Sequence, residues 1–294
     1  MTKSKRPSLT KKTIDPALRE ELRLSFASLS AGYTHYELSG ATDAEVVVLV
    51  HGFSVPSFIW DPTYRMLTEA GFRVLRYDLF GRGYSDRPKT RYDIDLFVRQ
   101  LADLLDALDI KEPINLCGLS MGGPITATFT TRFPEHVKNL ILFDPAGTRA
   151  IQLSQTIKSG LLTGVGELFF SLFGNRMLLN SIATDFYEPK QLKAFLARYR
   201  EQMQYRGFRR AILSTVREGM LGNFSSTYAG IGQQKKPVLL IWGRKDQTVP
   251  YKHSQRLLEL IPQVEFHTIE KAGHLPHYER PEIVDPILLN FLSS

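Results

Sequence analysis

The chain reads as an α/β protein: a mostly parallel, doubly wound sheet with helices on both faces and an inserted helical cap. Three observations predict this. Apolar runs of strand length alternate with amphipathic runs of helix length. The Val46-Val47-Val48-Leu49-Val50 run is apolar at every position, as in a strand covered on both faces. One long segment, residues 148–232, breaks the alternation with helical material and no good strand.

Val46–Val50 is followed by an expected helix at 57–69, with Gly71 as its stop signal, and then by the strand Phe72–Tyr77. Phe97, Leu101, Leu104, Leu105 and Leu108 fall at helical spacing, which predicts an amphipathic helix at 94–109. A strand at 114–117, a helix at 121–132 and the strand Leu140–Phe143 come next. Beyond the cap, Val238–Trp242 and Val264–Ile269 read as strands with a helix at 251–260 between them. A helix at 282–292 closes the chain. The cap segment is rich in Phe, Tyr, Leu, Met and Arg and includes two helical stretches, Leu161 to Phe173 and Leu192 to Tyr205. The expected division is a basic extension over 1–30, a first core part over 31–147, the cap over 148–232 and a second core part over 233–294. Ligands on such sheets bind at the carboxyl ends of the strands, so a cap there would shape the pocket.

With 294 residues, 43% hydrophobic and 23% charged, the composition is that of a soluble globular protein. It has no 18-residue apolar run and no signal-peptide core, so a cytoplasmic location is expected. Lys3, Lys5, Arg6, Lys11 and Lys12 supply most of the formal +7 charge. That basic tail reads as solvated, with contact to an anionic membrane surface as the minor alternative. Nothing resembles a nucleic-acid reader, and oligomeric state is not legible. Cys117 is the sole cysteine, so no intrachain disulfide forms. Its place at the end of an apolar strand predicts a buried, inert thiol.

The chemistry centres on Gly118-x-Ser120-x-Gly122, which closes an apolar strand and opens a helix. That context is the nucleophile elbow. Gly118 and Gly122 leave room where strand and helix would collide, and the turn lifts the Ser120 hydroxyl above the sheet. A serine hydroxyl needs a general base, a group to orient the base, and donors for the oxyanion. His274, in the loop after the last strand, is the candidate base. Asp246, in the loop after Val238–Trp242, is the candidate orienting acid, and Asp144 at the end of Leu140–Phe143 is its rival. The backbone N–H groups of Phe53 and Met121 are the candidate oxyanion donors. His267, mid-strand, reads as structural and His253 as a helix-face residue. His35 and His136 have no supporting pattern. The pair His274 and His277 lacks the matched ligands of a metal site, so no metal or cofactor is expected.

At these residues the chain resembles the α/β-hydrolase superfamily, over roughly residues 32–294. The likeness rests on His51-Gly52-Phe53, the Tyr77–Asp86 segment, Gly118–Gly123, Gly243–Asp246 and Gly273-His274. The resemblance implies the order nucleophile, acid, base that Ser120, Asp246 and His274 present. It also implies that Asp78–Asp86 is a bracing, non-catalytic loop. Dehalogenases and epoxide hydrolases of this superfamily carry Asp where this chain has Ser120. Its C–C hydrolases usually carry Gly-Pro-Gly after the His-Gly pair, where this chain reads Phe53-Ser54-Val55-Pro56. They also tend to place a Trp soon after the catalytic His, where this chain has Leu275-Pro276-His277-Tyr278. The expectation is a carboxylesterase or monoacylglycerol-lipase-type serine hydrolase acting on small to medium acyl esters or monoacylglycerol-like esters. The alternatives are a C–C hydrolase, a peripheral membrane lipase and a non-catalytic ligand receptor on the same scaffold.

Overall fold

In the computed structural model, which describes residues 12–149 and 165–294, side-chain alternation decides where the core lies. Residues 1–11 of the basic tail and 161–164 of the first expected cap helix lie outside the described residues. Ser25–Leu29 (β1) and Gly32–Ser39 (β2) form an antiparallel hairpin that joins the sheet edge. Val46–Val50 (β3), Arg73–Tyr77 (β4), Ile114–Leu119 (β5), Val137–Phe143 (β6), Val238–Gly243 (β7) and Glu265–Ile269 (β8) run parallel to one another. The spatial order is β1-β2-β4-β3-β5-β6-β7-β8. The expected doubly wound, mostly parallel sheet is therefore present. The boundary expected at residue 31 falls inside the β1–β2 hairpin, so part of the expected extension belongs to the sheet.

Pro16–Leu22 (α1) precedes the sheet, and Asp61–Glu69 (α2), Ile94–Ala107 (α3) and Gly122–Arg132 (α4) alternate with its strands. Val165–Asp185 (α5), Leu192–Gln202 (α6), Phe208–Arg217 (α7) and Ser225–Gln234 (α8) follow β6. Ser254–Leu260 (α9), Pro276–Glu279 (α10) and Pro281–Leu292 (α11) complete the chain. Val47, Leu49, Leu119 and Ile141 point to a layer with α2, α11 and cap residues such as Phe195 and Ile212. Their neighbours Val48, Val50 and Leu116 point the other way, onto Leu101 and Leu104 of α3 and Ile125 of α4. Each such side chain contributes about 1.5–3 kcal/mol by leaving water.

The helix expected at 57–69 starts as a 3-10 turn over Ser57–Trp60 and becomes α-helical at Asp61. Pro62 sits in the first turn, where its missing N–H costs nothing. The helix expected at 251–260 likewise opens as a 3-10 turn over Tyr251–His253. The cap expected over 148–232 is shorter in space. Tyr228 and Ile231 of α8 pack with Leu140, Leu142 and Leu240 of the sheet, and the Tyr228 hydroxyl donates to Ala146 O at 2.6 Å. So α8 belongs to the core layer. Among the described residues no helix is long and apolar enough to cross a membrane.

Register positions the site. Val50 pairs with Gly118, Leu119 with Phe143, Phe143 with Ile241, and Gly243 with Ile269. The carboxyl ends of β3, β5, β6, β7 and β8 therefore stop level, and the loops carrying residues 51–53, 120, 144, 246 and 274 leave one edge together.

Candidate active site

Ser120 adopts φ +54°, a left-handed conformation that costs a non-glycine residue about 1–3 kcal/mol. Packing enforces it. A Cβ on Gly122 would strike the Val50 carbonyl oxygen, and one on Gly118 would strike Thr126 Oγ1 and Gly122 O. Ser120 N–H donates to Phe143 O at 3.0 Å, and Ser120 O accepts from Gly123 and Ala146 N–H at 2.9 and 3.0 Å. The elbow is thus fastened to β6 and to the head of α4.

His274 and Ser120 line one cavity of about 80 Å³, together with Gly52, Phe53, Ile182 and Asp185. His274 Nδ1 lies 2.8 Å from Asp246 Oδ2. Asp246 Oδ1 accepts from Thr248 and Val249 N–H at 2.8 and 2.9 Å. With its carboxylate so held, Asp246 takes the Nδ1–H and leaves Nε2 as the imidazole's free position. Burial works to lower the His274 pKa. Asp246 foremost, then Asp185 and Glu279, outweigh it and hold the pKa above the ordinary histidine value. The His274 loop is fixed through Glu279, which accepts from Gly273 N–H at 2.7 Å and from Tyr187 and Glu188 N–H at 2.7 and 3.1 Å.

The loop after β3 lies against the elbow: a Cβ on Gly52 would sit 3.2 Å from Ser120 Cβ. Among the described residues, the N–H groups of Phe53 and Met121 donate to no acceptor. His51 locks this loop in place. Its Nδ1 contacts Gly52 O at 2.9 Å and its Nε2 accepts Leu79 N–H at 2.9 Å, so the ring is the neutral Nδ1–H tautomer. Burial pushes its pKa down to about 4.

The rival acid Asp144 is wholly buried at φ +41°. Its Oδ1 accepts Gly243 N–H at 2.8 Å. Burial foremost, then the Asp246 charge, raises its pKa well above the carboxylate range. Its hydrogen-bonded oxygen faces Gly243, while the His274 ring faces Asp246, so Asp144 is not the partner of His274. Ligand atoms of Asp144, Asp246 and His274 all lie within 4.8 Å of one another, close enough for a cation. Three of the four carboxylate oxygens, however, already accept hydrogen bonds from His274 or backbone N–H groups. The set therefore fits a hydrogen-bonded relay better than a metal.

His277 does not join His274. Its Nε2 faces Ile59 O at 3.2 Å, its ring stacks near Trp60 and Phe143, and burial lowers its pKa to about 3. His267 pairs with Glu265 at 2.7 Å on β8, and His253 lies in the 3-10 turn before α9. His136 lies at the surface beside Glu135. Cys117 is buried, and burial raises its thiol pKa.

Four polar residues, two of them in the expected bracing loop, support the site through contacts the sequence did not show. His35 Nδ1 meets Asp78 Oδ2 at 2.8 Å, and Asp78 also accepts from Ser57 and Tyr84 N–H, knitting the bracing loop to the β3 loop. Burial opposes ionisation of Asp78, but His35 and these donors hold its pKa well below the usual carboxylate range. Arg82 is fully buried and donates to Phe53 O at 2.8 Å, Phe80 O at 3.1 Å and Thr215 Oγ1 at 2.9 Å. Asp185, at the end of α5, accepts the Thr248 hydroxyl and offers its backbone oxygen to His274 N–H at 2.7 Å. A lone cation or acid in a loop or cap helix carries no sequence pattern that predicts burial.

Comparison with known proteins bears on the family and the fold. The chain is similar to Lipase 1 of Psychrobacter immobilis, 27% identical over 269 residues that span 89% of this chain and 81% of the relative. It is also similar to the 2-hydroxy-6-oxononadienedioate/2-hydroxy-6-oxononatrienedioate hydrolase of Paraburkholderia phymatum, 31% identical over 274 residues that span 88% and 91%. The structure of an esterase from Exiguobacterium antarcticum superposes with a TM-score of 0.79 at 18% identity, covering 92% of this chain and 99% of that one, a likeness of fold. A family model for the alpha/beta hydrolase fold matches residues 45–281. The chain is a hydrolase-fold protein with its loops in register at one sheet edge, and it belongs to the α/β hydrolase family.

Proposed function

We propose that this protein is a serine hydrolase of carboxylic esters. The observation that carries the reading is the Asp246–His274 hydrogen bond at 2.8 Å, on a cavity shared with Ser120 at a strained elbow. Ser120 attacks the acyl carbon while His274 takes its proton, and Asp246 stabilises the imidazolium. The N–H groups of Phe53 and Met121 hold the oxyanion. His274 then protonates the leaving alcohol, and water activated by the same ring releases the acid.

The 31% identical relative supports a second reading, cleavage of a C–C bond. That relative's named substrate is a dioate carrying two carboxylates. Among the described residues, no Lys or Arg lines this cavity, whereas Asp185 does. A dianion would meet a like charge and no partner, which favours a neutral ester. Ser120→Ala is expected to abolish labelling by a fluorophosphonate probe and to lower turnover of short p-nitrophenyl esters by about 10⁴-fold or more. Undiminished turnover in that variant would sink the mechanism. Wild-type turnover of a ring-fission dienoate in preference to these esters would favour the C–C reading.

A further inference from the structure

The cavity beside Ser120 is walled mainly by apolar side chains: Phe53, Val55, Ile59, Leu119, Ile182 and Leu275. Asp185 interrupts them. It comes from the cap helix α5, as does Ser181, whose hydroxyl donates to Leu178 O at 2.9 Å, so Asp185 is the one carboxylate that the cap's described residues bring to this wall. It is 8% exposed, yet it lines the cavity. Oδ1 accepts the Thr248 hydroxyl, while among the described residues Oδ2 has no protein partner. Oδ2 keeps some exposure, and on the cavity wall a ligand hydroxyl can donate to it.

We propose that Asp185 is the specificity residue of this pocket: it accepts a hydroxyl from the substrate and rejects a substrate carboxylate. The choice of esters as ligands rests on the ester-hydrolase reading. The substrate class is then a small neutral ester bearing a hydroxyl, with its apolar part against Ile59, Ile182 and Leu275. Asp185 is the acceptor and Thr248 fixes its orientation. The groups that bear on its charge are His274, Asp246 and Glu279. Burial foremost, with Asp246 and Glu279, raises its pKa to about 6 against the opposing pull of His274 and Thr248, so Asp185 is ionised at pH 8.

The test measures equilibrium binding at pH 8 to the full chain carrying Ser120→Ala, so that no ligand is consumed. The ligands are ethyl butyrate, 2-hydroxyethyl butyrate, ethyl 4-hydroxybutyrate and monoethyl succinate. A hydrogen bond to a charged acceptor predicts that one hydroxylated ester binds about tenfold tighter than ethyl butyrate. Which of the two does so locates the hydroxyl on the alcohol or the acyl side. Monoethyl succinate should bind most weakly. Adding Asp185→Asn, which keeps the shape, should cut the hydroxyl preference to about threefold and narrow the handicap of the succinate. Equal binding of all four ligands, no binding of any, or preferences left undiminished by Asp185→Asn would each overturn the proposal. Absent turnover by the wild type with these binding preferences intact would count against the ester chemistry and not against Asp185.

Discussion

Asp144 and Asp246 are neighbouring carboxyl groups in different surroundings. Asp246 receives two backbone N–H groups and the His274 ring; Asp144 receives one N–H and is wholly buried. Asp246→Asn is therefore expected to lower kcat by about 10⁴-fold, because an amide in that place favours the wrong imidazole tautomer. Asp144→Asn should stay within about tenfold of the wild type, since an amide can still accept from Gly243. The same variant tests the pKa. The raised folded-state pKa of Asp144 makes its contribution to stability complete below the ordinary carboxyl range. That contribution is lost as pH climbs toward the folded value. Thermal melts of Asp144→Asn should accordingly gain on the wild type as pH rises above about 4, the ordinary carboxyl value; a constant difference would refute the assignment. His274 must be neutral to accept a proton, so activity rises as pH passes its folded pKa. The acid limb of kcat/KM should lie above 6.5, the ordinary imidazole value, and shift downward in Asp185→Asn, which removes one of the charges that raise it.

At the scale of elements, the elbow and the central strands were legible because their requirements are severe. A strand buried on both faces must be apolar throughout, as Val46–Val50 is. A strand-to-helix turn that presses on Val50 O admits only glycine at 122. Gly122→Ala should destabilise by about 2 kcal/mol or more in a denaturant melt, or leave no folded protein. The β1–β2 hairpin was not legible, for the opposite reason. In β1 only Ala27 is buried, and the strand mixes Ser25, Phe26 and Ser28 without clean alternation. Its place is set by pairing with β2 and by Arg19, which bridges to Asp86 and stacks 4.3 Å over Tyr33. The placement of α8 was hidden similarly, since Tyr228 and Ile231 are its only buried side chains. Removing residues 1–30 should therefore lower Tm and promote aggregation by baring the β2 edge. Truncation with no loss of Tm, and monomeric elution, would show that the hairpin is dispensable.

For the molecule as a whole, the cap and the core meet through polar contacts, several of which end on active-site loops. Glu279 ties Tyr187 and Glu188 to the His274 loop, and Asp185 O holds His274 N–H. Arg198 pairs with Asp61 at the head of α2. Arg82 joins Thr215 of α7 to the carbonyl of Phe53, whose N–H faces the proposed oxyanion. No carboxylate pairs with Arg82 among the described residues, and burial pushes its pKa down to about 10. The three acceptors and the nearby rings of Phe53 and Phe97 are what keep the charge there. Removing one acceptor strands a buried cation, whereas removing the cation as well does not. Thr215→Val should thus cost about 1–3 kcal/mol, and Arg82→Met added to it should restore part of that loss. Activity separates the roles: Thr215→Val acts through stability, while Arg82→Met frees the Phe53 peptide and lowers kcat more than it raises KM. Strictly additive stability changes in this pair, or an unchanged kcat in Arg82→Met, would mean that the cap rests on the core without being coupled to the oxyanion loop.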